Sequence, residues 1–141
     1  MPIEPFWTFF SFLDRGTCVI HKWMNDIGMK TKARVKIETR FRYLSLQQTW
    51  EPNFAKKLNG YDDIYEIRIR HEGVQFRPLG CFDPHSRVFT LLIGAVEKGS
   101  NFKPRNAPEV AASRRKLISC NRSLIHEYES YIAPVKKSDE R

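Results

Sequence analysis

The spacing of hydrophobic positions divides the chain into runs of helical and strand periodicity. Apolar residues at every third or fourth position form the stripe of a helix, whereas strict alternation indicates a half-buried strand. The pattern predicts a strand at 6–13, helices at 18–27 and about 32–49, strands at 63–70, 74–82 and 87–95, and a third helix at about 107–130. We therefore expect one α+β domain over residues 1–133, followed by a frayed tail at 134–141 that has too little apolar content to pack.

The most regular alternation lies in the segment Tyr61–Arg77, which reads YDDIYEIRIRHEGVQFR. Side chains on a strand change face at each residue, so Arg68 and Arg70 share one side of the predicted sheet with Glu66. Gly73 permits a tight hairpin turn, which places Arg77 on the neighbouring antiparallel strand. Several guanidinium groups on one open face are suited to holding a phosphodiester. A meander of this kind buries one face against helices and leaves the other for a ligand.

Composition agrees with a folded domain that attracts polyanions. The chain has 141 residues, of which 41% are hydrophobic and 13% aromatic, and this excludes a disordered protein. A net charge of +8 and a pI near 9.6 favour nucleic acid first and an acidic partner protein second. Charge alone is equally compatible with a protein that is merely soluble and basic.

The cysteines and the N-terminus argue against metal, disulfide and membrane functions. Cys18, Cys81 and Cys120 are odd in number and widely separated, without the spacing of a zinc site. Scattered thiols are typical of a reducing cytoplasm. The N-terminal segment is short and lacks the basic leader of a signal peptide. We expect a cytoplasmic protein with no metal, no small-molecule cofactor and no membrane span.

Two further segments allow both a structural and a functional interpretation. The aromatic residues of strand 6–13 are more typical of core packing than of base stacking. The second predicted helix carries Lys and Arg residues on one side, either as a solvated face or as a contact for RNA phosphates. Histidine is the obvious proton carrier at neutral pH, and His85 and His71 lie in or beside turns.

From Phe6 to Leu117 the chain resembles the RelE/HigB-like toxins of bacterial toxin–antitoxin pairs, including their phage-derived killer-protein branch. The matching pieces are Lys56-Lys57-Leu58 with Gly60, Ile64–Arg68, Phe76-Arg77, Leu91–Ala95, Lys98, Lys103-Pro104 and the helix that opens Ala107-Pro108-Glu109 and continues through Ala111, Ala112, Arg114 and Arg115. Their order and spacing together carry the resemblance.

The resemblance implies a RelE-like antiparallel sheet with helices on one side and a metal-independent endoribonuclease that cleaves mRNA on the ribosome. It also implies a cognate antitoxin that neutralises the activity. Such cleavage needs groups to move two protons and cations to hold the phosphate. Arg68 and Arg77 match the family's strand arginines and would hold the phosphate, while Lys98 and His85 complete the expected catalytic set. The expected RNA-binding residues are Lys56, Lys57, Arg70 and Lys103.

One departure from the family pattern bears on activity. The branch commonly has histidine-glycine-phenylalanine and a basic pair at the end of the last strand, where this chain has Ile93 in the histidine place and Glu97 in one basic place. The interpretations that stay open are slow cleavage, cleavage with another proton carrier, a catalytically weak or inactive RelE-fold protein that binds nucleic acid or a partner protein, and an interaction module whose basic face docks an acidic antitoxin.

Overall fold

The computed structural model describes residues 4–130, which form an α+β fold with three helices and antiparallel-rich sheets. The helices are α1 (Val19–Asp26), α2 (Thr31–Ser45) and α3 (Ala107–Cys120). The strands are β1 (Thr8–Asp14), β2 (Thr17–Cys18), β3 (Ala55–Lys57), β4 (Tyr65–Ile67), β5 (Ile69–His71), β6 (Val74–Phe76), β7 (Leu79–Phe82), β8 (Val88–Ile93), β9 (Val96–Lys98), β10 (Asn101–Lys103) and β11 (Ile125–Glu127). The tail expected at 134–141 lies outside the described residues.

The strands form two sheets. The large sheet has the order β11-β1-β8-β7-β4-β3, with β2 paired to β1, and the small sheet has the order β10-β9-β6-β5. Neighbouring strands are antiparallel except for β1 and β8, which run parallel. Within residues 4–130, no helix is both long and apolar enough to cross a bilayer.

The three predicted meander strands are present as neighbours. The first two are each broken in two where the chain crosses between the sheets, and the third, β8, ends before a further crossing to β9, which begins beyond the predicted bound of residue 95. The crossings lie at Arg68, at Arg77-Pro78 and at Gly94-Ala95. Proline cannot donate to a strand ladder, so the pairing is interrupted at Pro78. A Cβ on Gly94 would lie 1.9 Å from Cδ2 of Trp23, so only glycine allows α1 to pack against this bend. The hairpin expected at Gly73 is confirmed: Glu72 and Gly73 have positive φ, and His71 pairs with Val74.

Helix ends differ from the prediction because side chains compete for the terminal backbone groups. Helix α2 ends at Ser45 rather than 49, where the Nε1 of Trp50 donates to the carbonyl of Leu44 (2.8 Å) and the amide of Phe6 donates to that of Ser45 (2.8 Å). Helix α3 ends at Cys120 rather than about 130. The side chain of Asn121 accepts from the amide of Ser123 (3.0 Å), and the chain continues as β11 along the edge of β1.

The core lies between the large sheet and its helices. Phe9 and Phe12 are buried, as expected for the aromatic first strand, and the ring of Phe9 lies 5.4 Å from Phe89 and 5.2 Å from Phe41 of α2. Thr90, the next residue on β8, instead faces Ile118 of α3. Helices therefore cover both faces of the large sheet, which corrects the expectation of helices on one side. On the outer side of α3, Leu117 is 52% exposed.

Candidate functional site

The two strand arginines of the predicted site lie at the bends between the sheets. Arg68 joins β4 to β5, and Arg77 joins β6 to β7. The amide of Arg68 donates to the carbonyl of Phe54 (2.7 Å), and the amide of Arg77 donates to that of Ala95 (2.7 Å). Because the backbone of both residues is fixed by neighbouring segments, their side chains start from defined positions.

A buried carboxylate joins the two guanidinium groups. Oε2 of Glu66 accepts a hydrogen bond from Nε of Arg68 at 2.7 Å and lies 4.0 Å from Nε of Arg77. The side chain of Glu66 is 7% exposed, so two cations compensate its burial. The arginines therefore converge, but they converge on an acid.

Arg77 is held on all sides by the protein. Its Nε donates to Oε1 of Glu97 at 2.9 Å, and its terminal nitrogens donate to the carbonyl of Phe76 (3.0 Å) and to the side chain of Gln75. The side chain is 8% exposed, against 35% for Arg68. Arg77 lies behind the surface and orients Glu97, whereas Arg68 reaches the surface itself.

The surface in front of this cluster is a crevice of about 190 Å³, lined by Lys56, Lys57, Leu58, Asn59, Glu66, Arg68, Glu97 and Phe102. Lys56 pairs across the ladder with Glu66, so strand register places this lysine over the buried acid. Lys56 and Lys57 are exposed, and Glu97 is 26% exposed on its side chain. In and directly behind the crevice there are four cations and two carboxylates, so the crevice favours an anion. The cations are Lys56, Lys57, Arg68 and Arg77, and the carboxylates are Glu66 and Glu97.

Helix α2 supports the crevice from behind through Arg40. Its guanidinium donates to the carbonyl of Arg68 and lies 4.6 Å from the centre of the Phe54 ring. Burial lowers the pKa of Arg40, yet a guanidinium stays protonated near neutral pH. The bend at Arg68 is thus fixed by a cation that the sequence placed on the polar side of a helix.

Three other predicted residues lie outside the crevice. Lys98 and Lys103 face the opposite side of the small sheet, because Glu97 and Phe102, their neighbours on β9 and β10, face the crevice. Arg70 is exposed on β5 and pairs with Gln75, beside the cluster. Their roles stay predictions.

His85 lies at the other end of β7, in the loop before β8. Its amide donates to Oδ2 of Asp83 at 3.1 Å, and its side chain lines a different surface cavity, together with Arg115 and Arg122. The residues that line the crevice include no histidine. Ile93, in the family's histidine place, is half-buried at the end of β8.

The sequence did not predict Glu66, Glu97, Phe102 or Arg40 as site residues. Two signals pointed to the first pair: the alternation put Glu66 on the side of Arg68, and Glu97 departs from the family's basic residue. Phe102 enters the crevice because β9 and β10 form a hairpin in which it pairs with Glu97. No strand was predicted at residues 101–103.

The arrangement can hold a phosphodiester and accept a proton. Arg68, Lys56 and Lys57 are cations on one rim, Glu97 is a fixed carboxylate, and Phe102 offers an aromatic ring for a base. Among the described residues, no three His, Cys, Asp or Glu side chains are grouped so that they could hold a metal ion.

The family described as Phage derived protein Gp49-like (DUF891) matches residues 24–116, about two thirds of the chain. The matched segment runs from α1 into α3 and includes the whole crevice. No curated protein and no solved structure matches the chain significantly.

Proposed function

The chain belongs to the phage-derived Gp49-like family, a toxin-like family of toxin–antitoxin systems, and on that premise we propose that it is a toxin that cleaves mRNA on the ribosome in the cytoplasm. The proposal includes a RelE-like order of strands and helices along the chain and a cognate antitoxin as partner. One observation carries it: Lys56, Lys57 and Arg68 line the same crevice as a carboxylate, Glu97, that Arg77 holds in place.

In the proposed step, the ribose 2′-hydroxyl attacks the adjacent phosphorus as its proton passes to Glu97. The bond from phosphorus to the 5′-oxygen breaks, and Lys56 or Lys57 protonates the leaving oxygen. The products are a 2′,3′-cyclic phosphate and a 5′-hydroxyl end. Arg68 stabilises the charge of the pentacovalent phosphate. Glu97 thereby serves as the proton acceptor in this chain, which lacks the family's histidine. Arg77 acts as a positioning residue.

Expression in bacteria, with mapping of mRNA ends, tests the proposal. We expect growth arrest and new 5′-hydroxyl ends for the wild type, and the loss of both for Arg68→Ala and for the double variant Lys56→Ala, Lys57→Ala. Lys116→Ala, which removes an exposed lysine of α3 away from the crevice, is the matched control. Intact transcripts and normal growth at wild-type expression would contradict cleavage.

A second candidate is an RNA-binding protein of the same fold without cleavage. It is favoured by the closed ion pairs of Arg77 with Glu66 and Glu97 and by the half-buried Ile93 in the histidine place. Purified protein would then bind single-stranded RNA and leave it intact, and Arg68→Ala would weaken binding only. A gel-shift assay and a cleavage assay on the same RNA separate the two candidates.

A further inference from the structure

The small sheet has a second concave surface, on the face opposite the crevice. This groove of about 960 Å³ lies between the small sheet and the turn that joins α1 to α2. Its lining includes the apolar residues Trp23, Ile27, Met29, Val74, Phe76 and Val96. Crevice and groove share the strands β9 and β10 but use alternate side chains of each strand.

Apolar side chains on both walls of the groove are exposed to solvent. Ile27, at the end of α1, is 46% exposed, and Val74, at the start of β6, is 39% exposed. The aromatic rings beneath them are not available in the same way, since Trp23 and Phe76 are 8% and 5% exposed. The surface thus offers aliphatic side chains to a partner and no open ring for base stacking, which favours a protein over RNA.

The rim of the groove is strongly basic. Lys30 and Lys32 lie on the side of α2, and Lys98 and Lys103 lie on the side of the small sheet. All four are exposed, and none forms an ion pair with another residue in the described range. The single acid of the lining, Glu72, lies 3.6 Å from His71.

The N-terminus of α2 adds to this positive field. No side chain caps the helix, and its first turn contains no acidic residue. The unsatisfied amide groups of a first turn carry partial positive charge and favour carboxylates. Together with the four lysines, these amide groups make the groove complementary to a partner that carries carboxylates.

We infer that the groove docks an acidic amphipathic helix of a partner protein, with the apolar stripe of the helix between Ile27 and Val74 and its carboxylates toward the four lysines. This inference deepens the proposed function, since for a toxin the partner is the antitoxin. The partner sits on the face opposite the crevice, so it leaves Lys56 and Arg68 uncovered.

Fluorescence anisotropy with a labelled synthetic peptide tests the inference. The peptide has leucine at i, i+3, i+4 and i+7 and glutamate at most other positions, and the control peptide has the same composition in scrambled order. We expect the full-length protein to bind the striped peptide and not the scrambled one, and added salt to weaken binding. Equal binding of the two peptides overturns the inference.

Variants of the groove locate the binding. Val74→Glu should weaken binding by about tenfold or more, because burial of one valine-sized side chain contributes about that factor and the new charge repels the peptide. The charge-reversing pair Lys30→Glu, Lys98→Glu should weaken it similarly, against the matched pair Lys36→Glu, Lys116→Glu, which changes exposed lysines outside the groove. Circular dichroism and thermal melts establish that each variant is folded.

Three further outcomes would contradict the docking of an acidic helix in the groove. Unchanged affinity in both groove variants, displacement of the peptide by single-stranded RNA, or a dimer in light scattering that Val74→Glu abolishes would each overturn the inference. The readout uses neither RNA cleavage nor growth arrest. A protein that cuts no RNA but binds the peptide in the groove therefore refutes the proposed function and retains the docking site.

Discussion

The two faces of the small sheet handle charge in opposite ways. On the crevice face, a row across the strands contains Arg70, Gln75, Glu97 and Phe102, and the cation beneath it is paired: Arg77 contacts Glu66 and Glu97. On the groove face, Val74, Phe76 and Val96 are apolar, and the lysines at the rim have no ionic partner among the described residues. A few residues of the same strands produce both surfaces.

This difference separates chemistry from recognition. A site that stabilises a transition state needs dipoles and charges fixed in advance, and ion pairs within the protein fix them. A docking surface instead gains affinity when its apolar area and its charges are satisfied only by the partner. Substitutions in the crevice therefore test whether ion pairs stabilise its structure, and substitutions of the rim lysines test whether the groove contributes nothing to stability.

The largest effect is expected for Glu66→Ala, measured as the free energy of unfolding in urea. Glu66 is the buried acid between Arg68 and Arg77, and its removal takes one of the two carboxylates away from the buried Arg77 and leaves it paired with Glu97. Breaking a buried pair from one side is costly, so we expect a loss of about 3 kcal/mol.

Two variants calibrate that value. Glu66→Gln keeps an oxygen that can accept from Arg68 and should cost less than the alanine variant. Glu72→Ala removes an exposed acid from the groove side and should be near neutral. A neutral Glu66→Ala would mean that the crevice is not organised by its ion pairs.

Glu97→Gln should lower the rate of RNA cleavage about 100-fold, the usual contribution of a general base. The amide keeps an acceptor oxygen for Nε of Arg77 but takes up no proton at neutral pH. We therefore expect RNA binding and the unfolding free energy to be largely retained. Single-turnover cleavage and anisotropy on the same labelled RNA measure the two effects.

Glu127→Gln is the matched control, since it changes an exposed strand glutamate on β11, at the edge of the large sheet away from β4. Cleavage by Glu97→Gln at the wild-type rate would remove Glu97 from the proposed step. The crevice would then bind RNA without using this carboxylate.

The sequence was sufficient to predict the hairpin that brings Arg68 and Arg77 together, but not the bends where the chain passes from one sheet to the other. Alternation around Arg68, together with Gly73, predicted the hairpin and the approach of Arg68 and Arg77. Local patterns do not encode where a strand leaves one sheet for another. That position depends on Pro78, which interrupts the hydrogen-bond ladder. It also depends on Gly94, where a side chain would collide with Trp23, a residue far away in sequence.

The same limit explains the placement of the lysines. Family spacing grouped Lys98 with the strand arginines, although a shift of one residue along a strand reverses the face. Only the register of β9 with β6, in which Gln75 pairs with Glu97, fixes Glu97 toward Arg77 and Lys98 toward the groove. Helix ends were missed because Trp50 and Asn121 bind backbone groups that a stripe of apolar residues does not report.

A smaller effect is expected at Asp83, which serves as a reference away from both faces. Burial alone would raise the pKa of Asp83, but hydrogen bonds from Ser86 and the His85 amide and the charge of Arg122 outweigh it and place the pKa below the ordinary 3.8. Asp83→Asn should therefore lower the free energy of unfolding at pH 7, by no more than about 1 kcal/mol because solvent screens a charge at the surface.

The sign of the pH dependence follows from that lowered pKa. The stabilising contribution of Asp83 is fully present above the ordinary value of 3.8 and is lost as the pH falls through the lower pKa of the folded protein. Thermal melts of wild type and Asp83→Asn should differ at pH 7 and approach each other below pH 3.8. Asp62→Asn, at an exposed acid, should show no such convergence because it starts with no difference.

The smallest effect is expected for the double variant Lys30→Ala, Lys98→Ala, and it tests the groove directly. If these lysines serve only a partner, their removal changes the unfolding free energy of the isolated protein by no more than about 0.5 kcal/mol, as for ordinary surface positions. The change should favour the folded state, because the variant lowers the repulsion among the four rim lysines. Urea denaturation at low salt measures it. A loss above about 1 kcal/mol would show that the lysines are paired within the chain, and their charge would then not be available to an acidic helix.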